Sequence, residues 1–319
     1  MDKSPVAIGV DVGGTKIAAG VVDAAGRLLA RTRRDSPNDR AALFEAIVAA
    51  VGDLGPDVAD LPIGVGAAGF VDADRSTVLF APNLPWRAEP LGAALAERLG
   101  RAVVVENDAN AATWAEAKFG AGIGHRHVAC VTVGTGVGGG LVIDGALVRG
   151  GYGVAAEFGH IPLVPDGVAC GCGQHGCWEQ YAGGHALERY GRDLVRAGGP
   201  AAAALSAACG GVAEHLVGPM ITALARDGDA AAVGLFAELG HWLGVGLVAL
   251  AAVLDPTCFV IGGGVGEAGD LLLAPARESF ARRLPAGANR PVAAVIPARL
   301  GNDAGMIGAG DLARLEGAR

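Results

Sequence analysis

Three cysteines fall within eight residues, Cys170, Cys172 and Cys177, and His160 precedes the first of them by ten positions. Three thiolates and one imidazole are the donor set of a closed tetrahedral zinc site, and four protein ligands leave no open position, so the site reads as structural. Glycines between the cysteines allow the loop to wrap around an ion. Glu157 lies three residues before His160 and Glu179 two residues after Cys177, so closing the metal site draws two carboxylates from separated segments to one place. Carboxylates accept hydrogen bonds from hydroxyl donors. Read alone, each glutamate is equally a solvated surface charge.

Two glycine turns offer a second kind of chemistry. Asp11-Val12-Gly13-Gly14-Thr15-Lys16 sets a carboxylate, a hydroxyl and an ammonium beside exposed backbone N–H groups, and Gly134-Thr135-Gly136-Val137-Gly138 is a matching bare hairpin. Such turns form anion-binding concavities, and the carboxylate suits a hydrated Mg²⁺, so the pair is suited to a polyphosphate. The dinucleotide alternative fails at Gly134-x-Gly136-x-x-Gly139, because Leu141-Val142-Ile143 follows as a strand where that fingerprint needs a helix. At Gly264-x-Gly266-x-x-Gly269 a strand precedes and a helix follows, but no acidic residue stands about 20 positions on. No lysine follows a Walker-type glycine.

A third group is Glu106-Asn107-Asp108, after an apolar strand and ahead of a helix beginning near Ala109. Asn107 or Asp108 there is a natural N-cap, satisfying orphan N–H groups. A carboxylate at the carboxyl end of a strand is also where α/β proteins place chemistry, and phosphoryl transfer to an alcohol needs a group to take the hydroxyl proton.

The elements that must hold these residues alternate. Val6–Val10, Ile17–Val22 and Leu28–Thr32 read as a meander, Ala41–Val51 as a helix, Ile63–Ala67 as a buried strand, Leu91–Leu99 as a helix and Val103–Glu106 as a strand. Val128–Val133, a glycine turn over Gly134–Gly140 and a strand over Leu141–Val148 then repeat the opening layout, which predicts two related halves. Helices follow over Trp178–Arg196, Val212–Arg226 and Ala230–Leu254, with a strand at Thr257–Ile261 and a last helix from Ala304. Two α/β domains are predicted: residues 1–110 with the first turn, completed by a C-terminal helix over 304–319, and residues 111–303 with the second turn and the cysteine loop.

The 319 residues carry 25 basic and 33 acidic side chains, with 51% hydrophobic residues, which excludes disorder and supplies no basic footprint for nucleic acid. The longest apolar run, Trp242–Leu254, is shorter than the roughly 20 residues a membrane-spanning helix needs and reads as a buried helix. No signal peptide is visible after Lys3, so a cytoplasmic protein is predicted, in keeping with clustered cysteines as metal ligands.

With these motifs in view the chain resembles the ROK family of sugar kinases, whose fold is the two-domain actin-like, hexokinase-type (ribonuclease H-like) ATPase fold with an interdomain cleft. The first turn resembles the family's first phosphate motif and the second its second, while Gly262-Gly263-Gly264 resembles the adenosine-contacting segment. Gly66-Ala67-Ala68-Gly69, Asn83-Leu84-Pro85-Trp86, Ala155-Ala156-Glu157-Phe158-Gly159-His160 and Leu300-Gly301-Asn302-Asp303-Ala304-Gly305 extend the likeness along the chain, nearest to ATP-dependent glucokinases of the actinobacterial type. The resemblance implies phosphorylation of glucose at its 6-hydroxyl, with Asp108 as catalytic base and contacting the sugar. It implies that Asn83 and Asn107 hold sugar hydroxyls, that the Gly69 backbone meets the ring, and that Glu157, His160 and Glu179 contact glucose. His160 would give one nitrogen to zinc and the other to sugar. ATP with Mg²⁺ would lie on Asp11, Gly13, Gly14, Thr15 and Lys16, on Gly134, Thr135, Gly136, Val137 and Gly138, and on Gly262, Gly263 and Gly264. A homodimer or tetramer is usual in the family; alternatives are another hexose kinase (N-acetylglucosamine, mannose or fructose) or a non-catalytic sugar sensor. The family's repressors carry a DNA-binding helix-turn-helix before the first phosphate motif, and ten residues are too few for one. Ala68 stands where most members have proline, which predicts a looser loop.

Overall fold

The computed structural model describes residues 6–82 and 84–317. Strands β1 (Val6–Val12), β2 (Lys16–Asp23) and β3 (Leu28–Asp35) are followed by helix α1 (Arg40–Gly52), strands β4 (Ile63–Ala67), β5 (Phe70–Val71), β6 (Val78–Phe80) and β7 (Arg87–Glu89), helix α2 (Leu91–Leu99), strand β8 (Val103–Asn107) and helix α3 (Asp108–Phe119). The chain continues through strands β9 (Val128–Val133), β10 (Val137–Ile143) and β11 (Ala146–Leu147), then helices α4 (Glu179–Ala182), α5 (Gly184–Ala197), α6 (Ala203–Ala208), α7 (Gly218–Arg226) and α8 (Ala230–Leu254). Strand β12 (Cys258–Gly262), helix α9 (Asp270–Arg283), strand β13 (Ala294–Pro297) and helix α10 (Ala304–Gly317) complete it.

Two compact units result. The first takes in Met1–Arg126, Gly140–Ala156 and Arg299–Arg319, the second His127–Gly139 and Glu157–Ala298. The sheets run β3-β2-β1-β4-β8 and β11-β10-β9-β12-β13, the same layout twice: a meander on one side of the leading strand and two later strands on the other. Strands β1, β4 and β8 are parallel, as are β9, β12 and β13. The boundary drawn from the sequence after residue 110 falls inside α3, which is one unbroken helix.

Close backbone approach explains much of the glycine in the first unit. A Cβ on Gly9 would stand 1.8 Å from the Met306 carbonyl oxygen, one on Gly64 1.9 Å from that of Ala309, and one on Gly308 1.8 Å from that of Ala111. Helix α10 therefore lies directly on β1 and β4 and against the first turn of α3, and its residues Ala304–Ala313 are all buried. At the other end of α3 the buried Glu116 carboxylate accepts from the backbone N–H groups of Arg299 and Leu300, tying the closing segment to this helix. The position of α3 is thus fixed from behind and at both ends.

In the second unit α8 is the core. The helix predicted over Ala230–Leu254, whose second half is the apolar run Trp242–Leu254, is found with those bounds, 25 residues long and opened by the Asp229 cap. By length and composition it would reach across a membrane. Its buried face is packed instead against α9, where a Cβ on Gly244 would meet the Ala276 carbonyl oxygen at 2.6 Å, and against Trp178, whose ring a Cβ on Gly246 would strike at 2.0 Å. Two predicted helices are shorter than expected: the extended backbone of Gly183 splits α4 from α5, and Pro219 lets α7 start only at Gly218. The glycine turn read over Gly134–Gly140 is also shorter, since β10 already begins at Val137. Gly139 and Gly140 are strand residues whose missing side chains admit Phe158 and Thr113. Leu141–Val148 in turn is broken at Asp144-Gly145, both in the left-handed region, as a tight two-residue hairpin demands.

Candidate functional site

In the first unit the site residues collect at the carboxyl ends of three parallel strands. The register pairs Asp11 on β1 with Gly66 on β4 and Gly66 with Glu106 on β8. A Cβ on Gly66 would come 3.7 Å from the Cα of Asp108, so only a glycine's width of strand separates Asp11 from that helix start. This is the edge of an α/β sheet where ligands bind.

The start of α3 divides its tasks. Asn107 has an extended backbone and is the N-cap, its Oδ1 accepting from the Asn110 N–H at 2.9 Å. Its amide nitrogen donates to the Gly69 carbonyl at 2.9 Å. Asp108 is the first helical residue, with Oδ1 accepting from the Ala109 N–H. Capping therefore falls to Asn107, and Asp108 places a carboxylate at the N-terminal end of α3, the positive end of the helix dipole. Gly69 itself has φ of 150°, and a Cβ there would meet the Phe80 carbonyl at 2.5 Å, so the loop carrying it accepts only glycine. The Ala68 N–H donates to the Val12 carbonyl at 3.2 Å, a bond a proline cannot make, which works against the looser loop expected there. Asn83 lies outside the described residues.

In the first turn the Gly13 N–H donates to the Lys16 carbonyl at 3.0 Å, closing the β1–β2 hairpin around Gly14 and Thr15. Burial raises the Asp11 carboxyl to about 6, the Lys16 ammonium opposing the rise. Gly305 of α10 packs against that carboxylate; a Cβ there would lie 3.0 Å from Oδ1.

The second unit collects the remainder. Cys172 and Cys177 place their sulfurs 3.6 Å apart, and the Cys170 sulfur is 3.7 Å from His160 Nδ1. All four donor atoms lie within 4.8 Å of one another. With Zn–S near 2.3 Å, tetrahedral angles separate two sulfurs by ~3.8 Å, so the four donors fit a zinc ion. Its backbone scaffold is thin: a single 3₁₀ turn over Phe158–His160 and isolated bridges at Pro162–Cys177 and Ala169–His175.

Glu179 connects this cluster to the second turn. Its Oε1 is 3.0 Å from the Cys170 sulfur and 3.7 Å from His160 Nδ1. A Cβ on Gly136 would strike its Oε2 at 2.2 Å. Trp178, fully buried between Cys177 and Glu179, anchors the loop by donating from Nε1 to the Trp242 carbonyl at 2.8 Å. Burial pushes the Glu157 carboxyl up, with His160 lowering it and the neighbouring Glu179 carboxylate adding to the rise. The turn rests on the start of α5, its Gly134 and Thr135 carbonyls accepting from the Gly184 and His185 N–H groups at 2.8 and 3.0 Å. Of Gly134–Gly138, Val137 and Gly138 belong to β10 rather than to the turn. Gly262–Gly264 ends β12 beside the same place: Gly263 has φ of 84°, and a Cβ there would meet the Val133 carbonyl at 2.5 Å.

The sequence singled out Glu106 only within Glu106-Asn107-Asp108 and assigned no role to it or to Arg149. Glu106 is 2% exposed, and its carboxylate meets Arg149 at 2.6 Å and Arg75 at 3.3 Å. Only an acidic residue at the end of an otherwise apolar strand signalled it.

The family model described as the ROK family matches residues 7–316. The glucokinase of Streptomyces coelicolor is 52% identical over 307 residues, covering 96% of this chain and 97% of that one. The crystal structure of a ROK family glucokinase from Streptomyces griseus, in complex with glucose and AMPPNP, is 52% identical and superimposes with a TM-score of 0.88, over 97% of this chain and 99% of that one. The ROK hexokinase of Thermus thermophilus is 34% identical, with a TM-score of 0.78 over 98% and 99%.

Proposed function

Since the chain belongs to the ROK family, and does so over residues 7–316, we propose that it is an ATP-dependent glucokinase in which Asp108 is the general base. Glucose gives its 6-hydroxyl proton to the Asp108 carboxylate, the oxygen attacks the γ-phosphorus of ATP, and glucose 6-phosphate and ADP leave. The protein's share is positioning and charge placement, as for phosphoryl transfer in general. Asp108 suits the proton transfer because Asn107 carries the capping task and is tied to the Gly69 carbonyl, which leaves the capping of α3 independent of Asp108. That division of labour at the start of α3 is the observation that carries the assignment of the base.

The turn at Asp11–Lys16 and the turn at Gly134–Gly138 are the parts suited to the phosphates, with Gly262–Gly264 for the adenosine. Asp11 would hold Mg²⁺, which would supply charge neutralisation on the phosphates. Glu157, His160 and Glu179 are the acceptors and donor for sugar hydroxyls: Nδ1 of His160 faces the cysteine sulfurs, which reserves Nε2 for the ligand. A structural zinc on His160, Cys170, Cys172 and Cys177 would set these three.

The test is ADP release measured against a panel of glucose, mannose, fructose and N-acetylglucosamine. Glucose should give the highest kcat/KM, because acceptors such as Glu157 and Glu179 left without a hydroxyl donor in a buried site are costly. Equal or better efficiency with N-acetylglucosamine or fructose would overturn glucose as the substrate.

A further inference from the structure

Glu106 sits in the strand immediately before the proposed base, and its carboxylate is shared out in an unusual way. Oε1 accepts from the backbone N–H of Asn107 at 3.2 Å and from the Asn110 amide at 3.1 Å. Those two residues bracket Asp108, one before it and one two places after. Oε2 takes the Arg149 guanidinium at 2.6 Å and that of Arg75 at 3.3 Å. Arg75 is itself fixed, with its backbone in the left-handed region at φ of 57° and its carbonyl accepting from the Val105 N–H of β8 at 2.9 Å. Side-chain exposure is 3% for Glu106 and 10% for Arg75.

A buried ion cluster of this kind is poor value as a stabiliser. Apolar replacements of similar volume are often neutral or stabilising, whereas what charge pairs supply is a unique geometry. The geometry in question is the one around Asp108. From this we infer that Glu106 is a positioning residue for phosphoryl transfer: anchored by Arg149 and Arg75 on one oxygen, it fixes with the other the two residues flanking Asp108 and so aims the base carboxylate. The inference rests on Asp108 being the base. Misplacement of a reacting group by about 1 Å costs up to about 10²-fold, so the effect belongs in kcat.

The experiment compares Glu106→Gln, Asp108→Asn and the double variant in the full-length, zinc-replete protein, with Tm recorded for each. Glu106→Gln keeps the volume and one acceptor but not the charge that holds two guanidinium groups. Its kcat should fall at least about tenfold while KM for ATP stays within about twofold, since no part of the Asp11 turn bonds to Glu106. The double variant should be no slower than Asp108→Asn alone, because a residue acting through the base has nothing left to aim. Multiplying losses, or a folded Glu106→Gln enzyme within about threefold of wild-type kcat, would overturn the positioning role while leaving the base assignment standing. Should Glu106→Gln not fold, Arg149→Met serves in its place, with kcat lowered and Arg149→Lys returning it to within about threefold; equal kcat in the Met and Lys variants would overturn the role. Asp108→Asn retaining more than about a tenth of kcat removes the base assignment by itself, whatever Glu106→Gln does.

Discussion

The two regions that carry the proposed sugar contacts are built on opposite principles. The start of α3 is set by regular structure: three parallel strands end beside it, Asn107 caps it, and α10 backs its first turn through Gly308. The loop from Glu157 to Glu179 has a 3₁₀ turn and isolated bridges for a scaffold, and its side chains converge on four metal donors. In the first case the backbone ladder fixes a carboxylate without any ligand. In the second, three sulfurs and an imidazole nitrogen converge so closely that an ion is the natural cross-link, with the buried Trp178 and Phe158 as large apolar anchors beside them. One proposed sugar-contacting region is therefore set by the fold, and the other would be set by the zinc its four donors fit.

Removing the metal is the strongest way to break this contrast. About one zinc per chain is expected by elemental analysis, and chelation should abolish activity, with Zn²⁺ restoring it. The far-ultraviolet circular dichroism should change little, because the loop contains almost no regular structure. Active protein without zinc would refute the metal as the organiser of Glu157 and Glu179.

At the other end, Asp108→Asn leaves Asn107 to cap α3, so Tm should stay near that of wild type while kcat falls at least about 10²-fold, the lower range for general-base catalysis. Retention of more than about a tenth of kcat would assign Asp108 a structural task only.

Asp11 sharpens the comparison through pH. Its carboxyl lies at about 6 in the fold, above the ordinary carboxylate value of about 3.9. A raised carboxyl binds its proton more readily when folded, so this contribution to stability is present below about 3.9 and is lost as pH rises through 6. At pH 8 the buried, ionised Asp11 burdens the ligand-free protein. Asp11→Asn should raise Tm by a few degrees at pH 8, and the difference should vanish toward pH 4. In the wild type, kcat/KM for ATP should decline below about pH 6 if the Asp11 carboxylate serves the proposed Mg²⁺ site, as that carboxylate is protonated. A Tm difference independent of pH would contradict the burial of this carboxyl.

The smallest effect is expected at Ala68. Proline there removes the N–H that meets the Val12 carbonyl and should cost about 1 kcal/mol by urea denaturation, with kcat unchanged. An unchanged midpoint would show that this bond does not tighten the strand ends.

Much of the chemistry was legible because it is local in the chain. The spacing of Cys170, Cys172 and Cys177 with His160 announces a tetrahedral donor set wherever the loop sits, and the structure brings those four atoms together. The strand, glycine turn, strand layout likewise appears twice, since alternating apolar residues and glycines act over a few positions. What the sequence left open turned on which neighbours a residue meets through space. Asn107 or Asp108 was an equally good cap by type, and the Gly69 carbonyl and Asn110 N–H assign the task to Asn107. Gly139 and Gly140 look like turn residues but are strand glycines, because Phe158 and Thr113 occupy the space their side chains would need. Glu106 reads as one acid at the end of a strand, and only the arrival of Arg75 and Arg149, 31 and 43 residues away, makes it the centre of a buried ion cluster. Residue type and spacing determine which chemistry is available; burial and long-range approach, which no local pattern encodes, decide which copy of a residue type carries it and at what charge.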